Sequence, residues 1–207
     1  MPGYLTEPQP RREITGVILC GGLSRRMGGV DKPLLDVGGR SLLHYVIDRL
    51  VPQVQSVWLS CGTNAARFGG FGLPIVTDTR PAMGPLAGIE ATLAQITTPY
   101  LFVCPGDAPV FPVNMCASLL VSGHGADVVF ARPANSGHSL FLLLKADVAN
   151  ALTAWLNDGG RSVSGWLQHV RAQPVDFGNG VTFSNINTPV ELQAFKRSIT
   201  DEDQDSE

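Results

Sequence analysis

Apolar positions fall into two alternating patterns along this chain, and each pattern predicts a different element. Unbroken apolar runs of about four to eight residues are typical of buried strands, whereas apolar residues that recur every three or four positions are typical of helices. The segment Ile14–Cys20 shows the first pattern, and Leu42–Leu50 shows the second. The alternation continues almost to the end of the chain, which indicates an α/β protein.

The other predicted elements follow from the same criteria. The predicted strands are Ile14–Cys20, Val54–Ser60, Pro74–Thr77, Tyr100–Cys104, Ala126–Ala131, Ser139–Leu144, Pro174–Phe177 and Val181–Ile186. The predicted helices are Leu42–Leu50, Leu86–Ile96, Val113–Val121, Ala146–Leu156, a short helix through Trp166, and a last helix that opens at Pro189 with Leu192 and Phe195 on its inner face. This order favours a Rossmann-like three-layer α/β/α arrangement around a mostly parallel, mixed sheet. Such sheets bind ligands beyond the carboxyl ends of their strands.

The composition is that of one folded domain. The chain has 207 residues, of which 44% are hydrophobic and 16% charged, and this is too apolar for a disordered protein. We expect a flexible N-terminus at 1–13 and a single domain at 14–198. No apolar run reaches the roughly 18 residues that cross a bilayer, and Met1–Glu13 lacks the apolar core of a signal peptide. The sequence therefore predicts a cytoplasmic protein with no membrane association.

The negative net charge comes from the C-terminal tail. The formal charge is −3, but residues 199–207 (ITDEDQDSE) carry five acidic residues and no basic ones. We expect this tail to be solvated and disordered. Without it the charge is +2, since −3 plus five is +2. A mildly basic domain without a dense Lys/Arg stripe suits a small anionic ligand rather than a nucleic acid.

The segment Leu19–Lys32 (LCGGLSRRMGGVDK), here named the glycine-rich segment, follows the first predicted strand. Glycines let a backbone approach an anion closely, and consecutive amide N–H groups can hold phosphate oxygens. Arg25, Arg26 and Lys32 add positive charge beside them. The segment matches neither the P-loop pattern nor G-x-G-x-x-G, so those two phosphate-binding motifs are disfavoured. It therefore predicts a different type of phosphate-binding turn.

Two carboxylates stand at the ends of other predicted strands. Asp78 follows a short strand and precedes Gly84–Gly88, a glycine-flanked loop that leads into a helix. Asp78 could accept from a base or a sugar, or it could cap a turn. Asp107 comes directly after the strand Tyr100–Cys104. Because magnesium prefers carboxylate oxygens and completes its coordination with water and substrate phosphates, Asp107 is the candidate magnesium ligand.

The glycine-rich segment resembles the G-G-x-S-x-R-M-G-x-D-K signature of the nucleotidyltransferases that act on molybdopterin. The extra glycine in its second half is most similar to the members of that family that transfer a guanylyl group. Gly84–Gly88, Asp107 and Asn185–Leu192 resemble later motifs of the family, in the same order along the chain. The resemblance spans about residues 14 to 195, and it implies the nucleotidyltransferase form of the α/β fold.

The resemblance also implies a reaction and a set of residues. The reaction is magnesium-dependent transfer of GMP from GTP to molybdopterin, with release of pyrophosphate. The implied nucleotide-binding residues are Leu19, Cys20, Gly21, Gly22, Lys32, Asp78 and Asp107. Arg26, Lys32 and Asp107 are the implied catalytic groups, and Asp107 is the implied metal ligand. Asn185 and Asn187 would close the site on the metal or pterin side.

An attacking phosphate is already ionised near neutral pH, so this reaction needs alignment and charge neutralisation rather than a general base.

Other interpretations of the sequence stay open. Ser60 stands near a position where the family has an asparagine that helps to read the nucleotide. A cytidylyl or sugar-nucleotide transferase would keep the same fold and phosphate-binding turn. A non-catalytic module that delivers the cofactor to molybdoenzyme apo-proteins, or to other proteins of cofactor biosynthesis, would release no pyrophosphate.

Overall fold

The computed structural model describes residues 10–21, 31–80, 83–132, 140–178, 183 and 185–204. Within these residues the strands are β1 (Ile14–Leu19), β2 (Asp36–Val37), β3 (Arg40–Ser41), β4 (Ser56–Ser60), β5 (Ile75–Val76), β6 (Tyr100–Pro105), β7 (Val128–Arg132), β8 (Leu142–Lys145) and β9 (Ala172–Asp176). The helices are α1 (Leu42–Leu50), α2 (Pro85–Leu93), α3 (Met115–Ser122), α4 (Ala149–Asn157), α5 (Val163–Leu167) and α6 (Pro189–Gln204).

Seven of the described strands form one sheet in the order β5-β4-β1-β6-β8-β7-β9. The pairs β5/β4, β4/β1, β1/β6 and β7/β9 are parallel, and β8 runs antiparallel to both of its neighbours. The sheet is therefore mixed and mostly parallel, which confirms the predicted fold class. Strands β2 and β3 form a separate two-stranded hairpin that the apolar pattern did not predict.

Helices cover both faces of the sheet. Apolar residues of α1 and α3 pack with one buried cluster, and those of α2, α4 and α5 pack with another on the opposite face. The α1 face lies very close to β1, because a Cβ on Gly16 would come within 2.9 Å of a Leu50 methyl carbon. Strand β1 is buried along its whole length, so its packing fixes the position at which the glycine-rich segment begins.

Helix α6 packs at the margin of the domain rather than on the sheet. Its residues Leu192, Phe195 and Ile199 contact a small cluster that contains Val37 and Leu42, and the inner-face position predicted for Leu192 and Phe195 is confirmed. The helix continues to Gln204, so its backbone extends into the segment expected to be a disordered tail. Residues 205–207 lie outside the described residues.

The remaining differences from the predicted elements concern the ends of elements and the strand predicted at Val181–Ile186. Strand β4 begins at Ser56, two positions later than predicted from Val54. Half of the strand predicted at Val181–Ile186 lies outside the described residues, and its described residues Phe183, Asn185 and Ile186 are not in a strand. Residues 1–9 are also outside the described part, whereas Arg11 is tied down by donating from Nε to the Val54 carbonyl at 3.0 Å. In the described residues no helix is long and apolar enough to cross a membrane.

Candidate functional site

The carboxyl ends of β4, β1 and β6 lie side by side, and they bring the predicted residues to one edge of the sheet. Leu19 at the end of β1 pairs in register with Ser60 of β4 and Pro105 of β6. The Cys20 amide donates to the Ser60 carbonyl at 2.8 Å, and the Gly106 amide donates to the Leu19 carbonyl at 2.9 Å. These bonds fix the start of the glycine-rich segment between the two flanking strands.

The hydrogen bonds at the end of β1 show which backbone amides of the glycine-rich segment are already used within the sheet. Because the Cys20 N–H is used within the sheet, the amides that can turn toward a phosphate begin at Gly21. Gly21 lies against the chain after β4, since a Cβ built on it would be 3.5 Å from the Gly62 nitrogen. Gly22 and Arg26, also predicted for the site, lie outside the described residues.

Lys32, Asp107 and Asn187 meet beside this edge although they come from three distant segments. The Lys32 ammonium is 2.7 Å from the Asn187 Oδ1 atom and 3.5 Å from the Asp107 Oδ2 atom. The Ile186 amide donates to the Asp107 carbonyl at 2.7 Å, which ties the Asn185–Leu192 motif to the end of β6. The structure therefore joins three of the motifs found in the sequence. The direct contact between Asn187 and Lys32 was not predicted.

Asp107 is a carboxylate in a poorly solvated place. Its side chain is 16% exposed, and burial raises its pKa above the ordinary value, while the nearby Lys32 charge partly lowers it again. Within the described residues Lys32 is the side chain that donates to this carboxylate. Burial outweighs the Lys32 ion pair and the Asp107 backbone N–H, so a further cation at the carboxylate oxygens would stabilise the ionised form.

The residues present fit a magnesium ion. The Asp107 carboxylate and the Asn187 amide oxygen both contact the Lys32 ammonium, and magnesium binds oxygen ligands of this kind. Among the described residues no group of three or more His, Cys, Asp or Glu side chains could hold a metal. A magnesium ion at Asp107 would thus take most of its ligands from phosphates and water.

Asp78 lies on the other flank of β1, directly beyond β5. Its Oδ1 atom is 3.5 Å from the Ser60 hydroxyl, which donates to it, and burial raises its pKa above the ordinary value, more than the Ser60 hydrogen bond lowers it. Helix α2 closes this corner tightly, since a Cβ on Gly88 would come within 2.2 Å of the Ser60 hydroxyl oxygen. Asp78 is therefore a half-buried acceptor held against the end of β4.

The spacing of the two carboxylates across the sheet has a functional consequence. Asp78 follows β5 and Asp107 follows β6, and the sheet order places β4 and β1 between these strands. Neighbouring strands lie about 4.8 Å apart, so the two carboxylates flank an edge three strand spacings wide. An extended ligand such as a nucleoside triphosphate can lie across this edge with its two ends at different carboxylates.

Sequence reasoning missed two ion pairs that support the site. Asp31 pairs with Arg67, and Arg80, two residues after Asp78, forms a two-bond ion pair with Glu90 of α2 at 2.7 and 3.2 Å. Each pair joins a site segment to a neighbouring element. For the Asp31–Arg67 pair, the only signal in the sequence was a carboxylate within the otherwise basic glycine-rich segment. For the Arg80–Glu90 pair there was no signal.

A central parallel strand that leads into a glycine-rich sequence, with a lysine and a strand-end carboxylate beside it, is typical of nucleotide-binding α/β proteins. Residues 16–173 match the family model described as the MobA-like NTP transferase domain, and the chain belongs to this family.

Relatives in sequence and in fold agree with this membership. The chain is 38% identical to a molybdenum cofactor guanylyltransferase of Ralstonia nicotianae over 196 residues, covering 89% of this chain and 96% of that one. It is 34% identical to the enzyme of the same name from Polynucleobacter asymbioticus, covering 90% and 97%. The crystal structure of molybdopterin-guanine dinucleotide biosynthesis protein A from Archaeoglobus fulgidus superposes with a TM-score of 0.75 at 20% identity, covering 90% of this chain and 99% of that one. This last likeness shows the fold.

Proposed function

We propose that this protein transfers a guanylyl group from GTP to the terminal phosphate of molybdopterin and releases pyrophosphate, with magnesium bound at Asp107. The observation that carries the proposal is the meeting of Lys32, Asp107 and Asn187 beside the end of β1. A cation and a candidate metal ligand thus lie close together, which supports a triphosphate site beside the end of β1. The names of the sequence relatives support GTP and molybdopterin as the substrates.

The nucleotide would lie across the carboxyl edge of the sheet. Its base or ribose end would contact Asp78 on the β5 side, and its phosphates would lie between the backbone from Gly21 onward and the Lys32 ammonium. Lys32 is a compact point charge, which suits it to neutralise phosphate oxygens. Arg26 would add a second cation from the glycine-rich segment. The half-buried Asp78 and the largely buried Asp107 thus hold opposite ends of one ligand.

The chemical step is an in-line displacement at the α-phosphorus. A terminal phosphate oxygen of molybdopterin forms the new bond to that phosphorus, the bond from it to the bridging α–β oxygen breaks, and pyrophosphate carries away the electron pair. The attacking oxygen is already ionised near neutral pH, so the residues near the site need only orient the reactants and stabilise charge. Magnesium, when bound, supplies part of that charge stabilisation, worth several kcal/mol.

Calorimetric titration with GTP, CTP and ATP in the presence of magnesium tests the donor. We expect tight binding of GTP and weak binding of the other two. A preference for CTP would instead favour a cytidylyltransferase, the alternative that keeps the same fold.

Pyrophosphate release with molybdopterin as acceptor tests the reaction itself. A protein that binds GTP but releases no pyrophosphate would be a binding module and would contradict the proposal. The cytoplasmic location and a contact with molybdoenzyme apo-proteins stay predictions.

A further inference from the structure

Asp31 is a buried carboxylate directly before Lys32, and it is 8% exposed. Both of its oxygens have partners. Oδ1 accepts from the Asn64 side-chain amide at 3.4 Å, and Oδ2 forms an ion pair with the Arg67 guanidinium. Asn64 and Arg67 belong to Gly62–Phe71, a run of 3₁₀ turns that follows β4. The end of the glycine-rich segment is therefore fastened to this run by its own carboxylate.

The charge of Asp31 would oppose the binding of a polyanion. The neighbouring Lys32 does not offset it, because the Lys32 ammonium is directed at Asn187 and Asp107. In the described part of the chain the cation that pairs with Asp31 is Arg67. Its side chain is 51% exposed, so the pair extends from the buried end of the segment into solvent. Without Arg67, a buried negative charge would lie one residue from the lysine proposed to hold the phosphates.

We propose that Arg67 is a positioning residue that balances the charge of Asp31, so that Lys32 can hold the nucleotide phosphates without an opposing charge beside it. Arg67 acts through Asp31 and not by touching the substrate. This inference rests on the proposed function for the choice of GTP as the ligand. The geometry that carries it, a buried carboxylate whose cationic partner is half in solvent, does not depend on which nucleotide binds.

Calorimetric titration of GTP with magnesium, across a double-mutant cycle, tests the proposal. Arg67→Met leaves Asp31 unbalanced, and we expect it to weaken GTP binding about three- to tenfold, the scale of one charge acting through a partly solvated site. Asp31→Asn should bind GTP at least as tightly as the wild type. The double variant Asp31→Asn/Arg67→Met should return to within about twofold of Asp31→Asn, because neither charge is then present.

Two further variants test whether the effect depends on the charge of Arg67, on the shape of its side chain or on its position in the fold. Arg67→Lys keeps the charge and should bind GTP like the wild type. Arg171→Met removes the same charge from a bidentate pair with Asp127 at the opposite edge of the sheet, and it should leave GTP binding unchanged. Thermal unfolding of each variant checks that the fold is intact. If Arg67→Met does not fold, Arg67→Gln takes its place with the same expectations.

The outcomes distinguish this inference from the proposed function. A double variant that binds GTP as weakly as Arg67→Met would overturn the charge-balance role, since Arg67 would then act on the nucleotide directly. An Arg67→Met variant that binds like the wild type would overturn it too. If the wild type prefers CTP or ATP, the proposed donor is wrong, and the same cycle is run with the preferred nucleotide. A wild type that binds none of the three contradicts both proposals.

Discussion

At the scale of single residues, the burial of the Asp107 carboxylate is unfavourable for stability, and the same carboxylate is the candidate metal ligand. Its carboxylate is largely buried at the end of β6 with Lys32 at 3.5 Å, and burial raises its pKa. The Lys32 charge offsets only part of the cost of burying the ionised carboxylate, since the pKa stays raised. The position therefore makes sense as part of a binding site that magnesium and a triphosphate complete.

Replacing Asp107 by Ala should reduce pyrophosphate release at least about 100-fold, since several kcal/mol of charge stabilisation depend on the metal. The fold should persist, because the side chain lies at the edge of the sheet and not in its core, and circular dichroism checks this. Asp158→Ala, which removes an exposed acid after α4, serves as the matched control and should keep full activity. Near-normal turnover in Asp107→Ala would remove the metal assignment.

Asp78 gives a pH-dependent prediction. Burial raises its pKa above the ordinary 3.8, so the folded state holds the proton more tightly than the unfolded state. The ionised carboxylate then costs stability, and this cost develops as the pH rises from 3.8 through the raised pKa and persists above it. Asp78→Asn should therefore unfold at a higher temperature than the wild type near pH 7 and lose that advantage below pH 3.8.

The same Asp78→Asn variant should bind GTP more weakly, because it loses a charged acceptor. Unfolding curves at several pH values, with a GTP titration at neutral pH, measure both effects. A stability gain that is equal at pH 3 and pH 7 would show that the ionised form carries no penalty.

These residues also show what sequence reasoning can reach. Lys32 and Asp107 were predicted because a glycine-rich turn and a strand-end carboxylate are local signals. The resemblance placed Asn187 on the metal or pterin side, but its direct contact with Lys32 was not predicted, because the two residues are 155 positions apart and meet only in the fold. The Asp31–Arg67 pair likewise needs the packing of the chain after β4, which has no motif of its own.

At the scale of elements, helix α2 approaches β4 so closely that one position permits only glycine. A Cβ on Gly88 would lie 2.2 Å from the Ser60 Oγ atom and 3.2 Å from the Ser60 Cβ atom. Gly88→Ala should thus destabilise the protein by about 1–3 kcal/mol through overpacking and push Ser60 away from Asp78. Denaturant unfolding measures the loss.

Ser60→Ala provides the matched control for this contact. Combined with Gly88→Ala it removes the clashing oxygen but keeps the Ser60 Cβ atom, so we expect it to restore part of the lost stability. A Gly88→Ala protein as stable as the wild type would mean that α2 can shift without cost.

Helix α6 begins with a capping box that also orders the site. The Glu191 carboxylate accepts from the amides of Asn187 and Thr188 at 2.7 and 2.9 Å, and the Glu191 amide donates to the Thr188 hydroxyl at 3.2 Å. Pro189 occupies the first helical position, where it is favoured. The helix start is therefore coupled to Asn187, whose side chain holds the Lys32 ammonium.

Glu191→Ala should weaken α6 by about 0.5–2 kcal/mol, the usual range for a lost cap, and should raise the KM for GTP, because Asn187 and Lys32 lose their fixed places. Hydrogen exchange of the α6 amides, which should become faster, separates this local effect from global unfolding. Glu191→Gln keeps an acceptor at the same point and should behave like the wild type. Unchanged exchange in α6 of the Ala variant would contradict the role of the cap.

At the scale of the whole molecule, the apolar pattern predicted most strands because each is a short buried run. The order of the strands in the sheet and their directions were harder to predict from the sequence. The antiparallel insertion of β8 between β6 and β7 leaves no trace in a run such as Leu142–Lys145, whose burial does not depend on its direction. The hairpin of β2 and β3 has two residues in each strand, too few to show a period. The candidate site could be proposed from the sequence because its residues follow predicted strands, of which Tyr100–Cys104 was the clearest.

In the proposed binding mode the nucleotide lies at the ends of β4, β1 and β6, so most of its contacts are with the central strands of the sheet. A ligand that binds the folded state alone raises its stability by about 2.7 kcal/mol at 100 times its Kd, which corresponds to roughly 5–10 °C in a domain of this size. GTP with magnesium should therefore raise the unfolding temperature by about that amount, and CTP and ATP at the same concentration should raise it less. Because the buried Asp107 carboxylate needs a cation to face the phosphates, adding EDTA should remove most of the GTP effect. A shift that is the same for all three nucleotides, or that survives EDTA, would mean that the ligand is held by general charge attraction and not by the metal and the two carboxylates together.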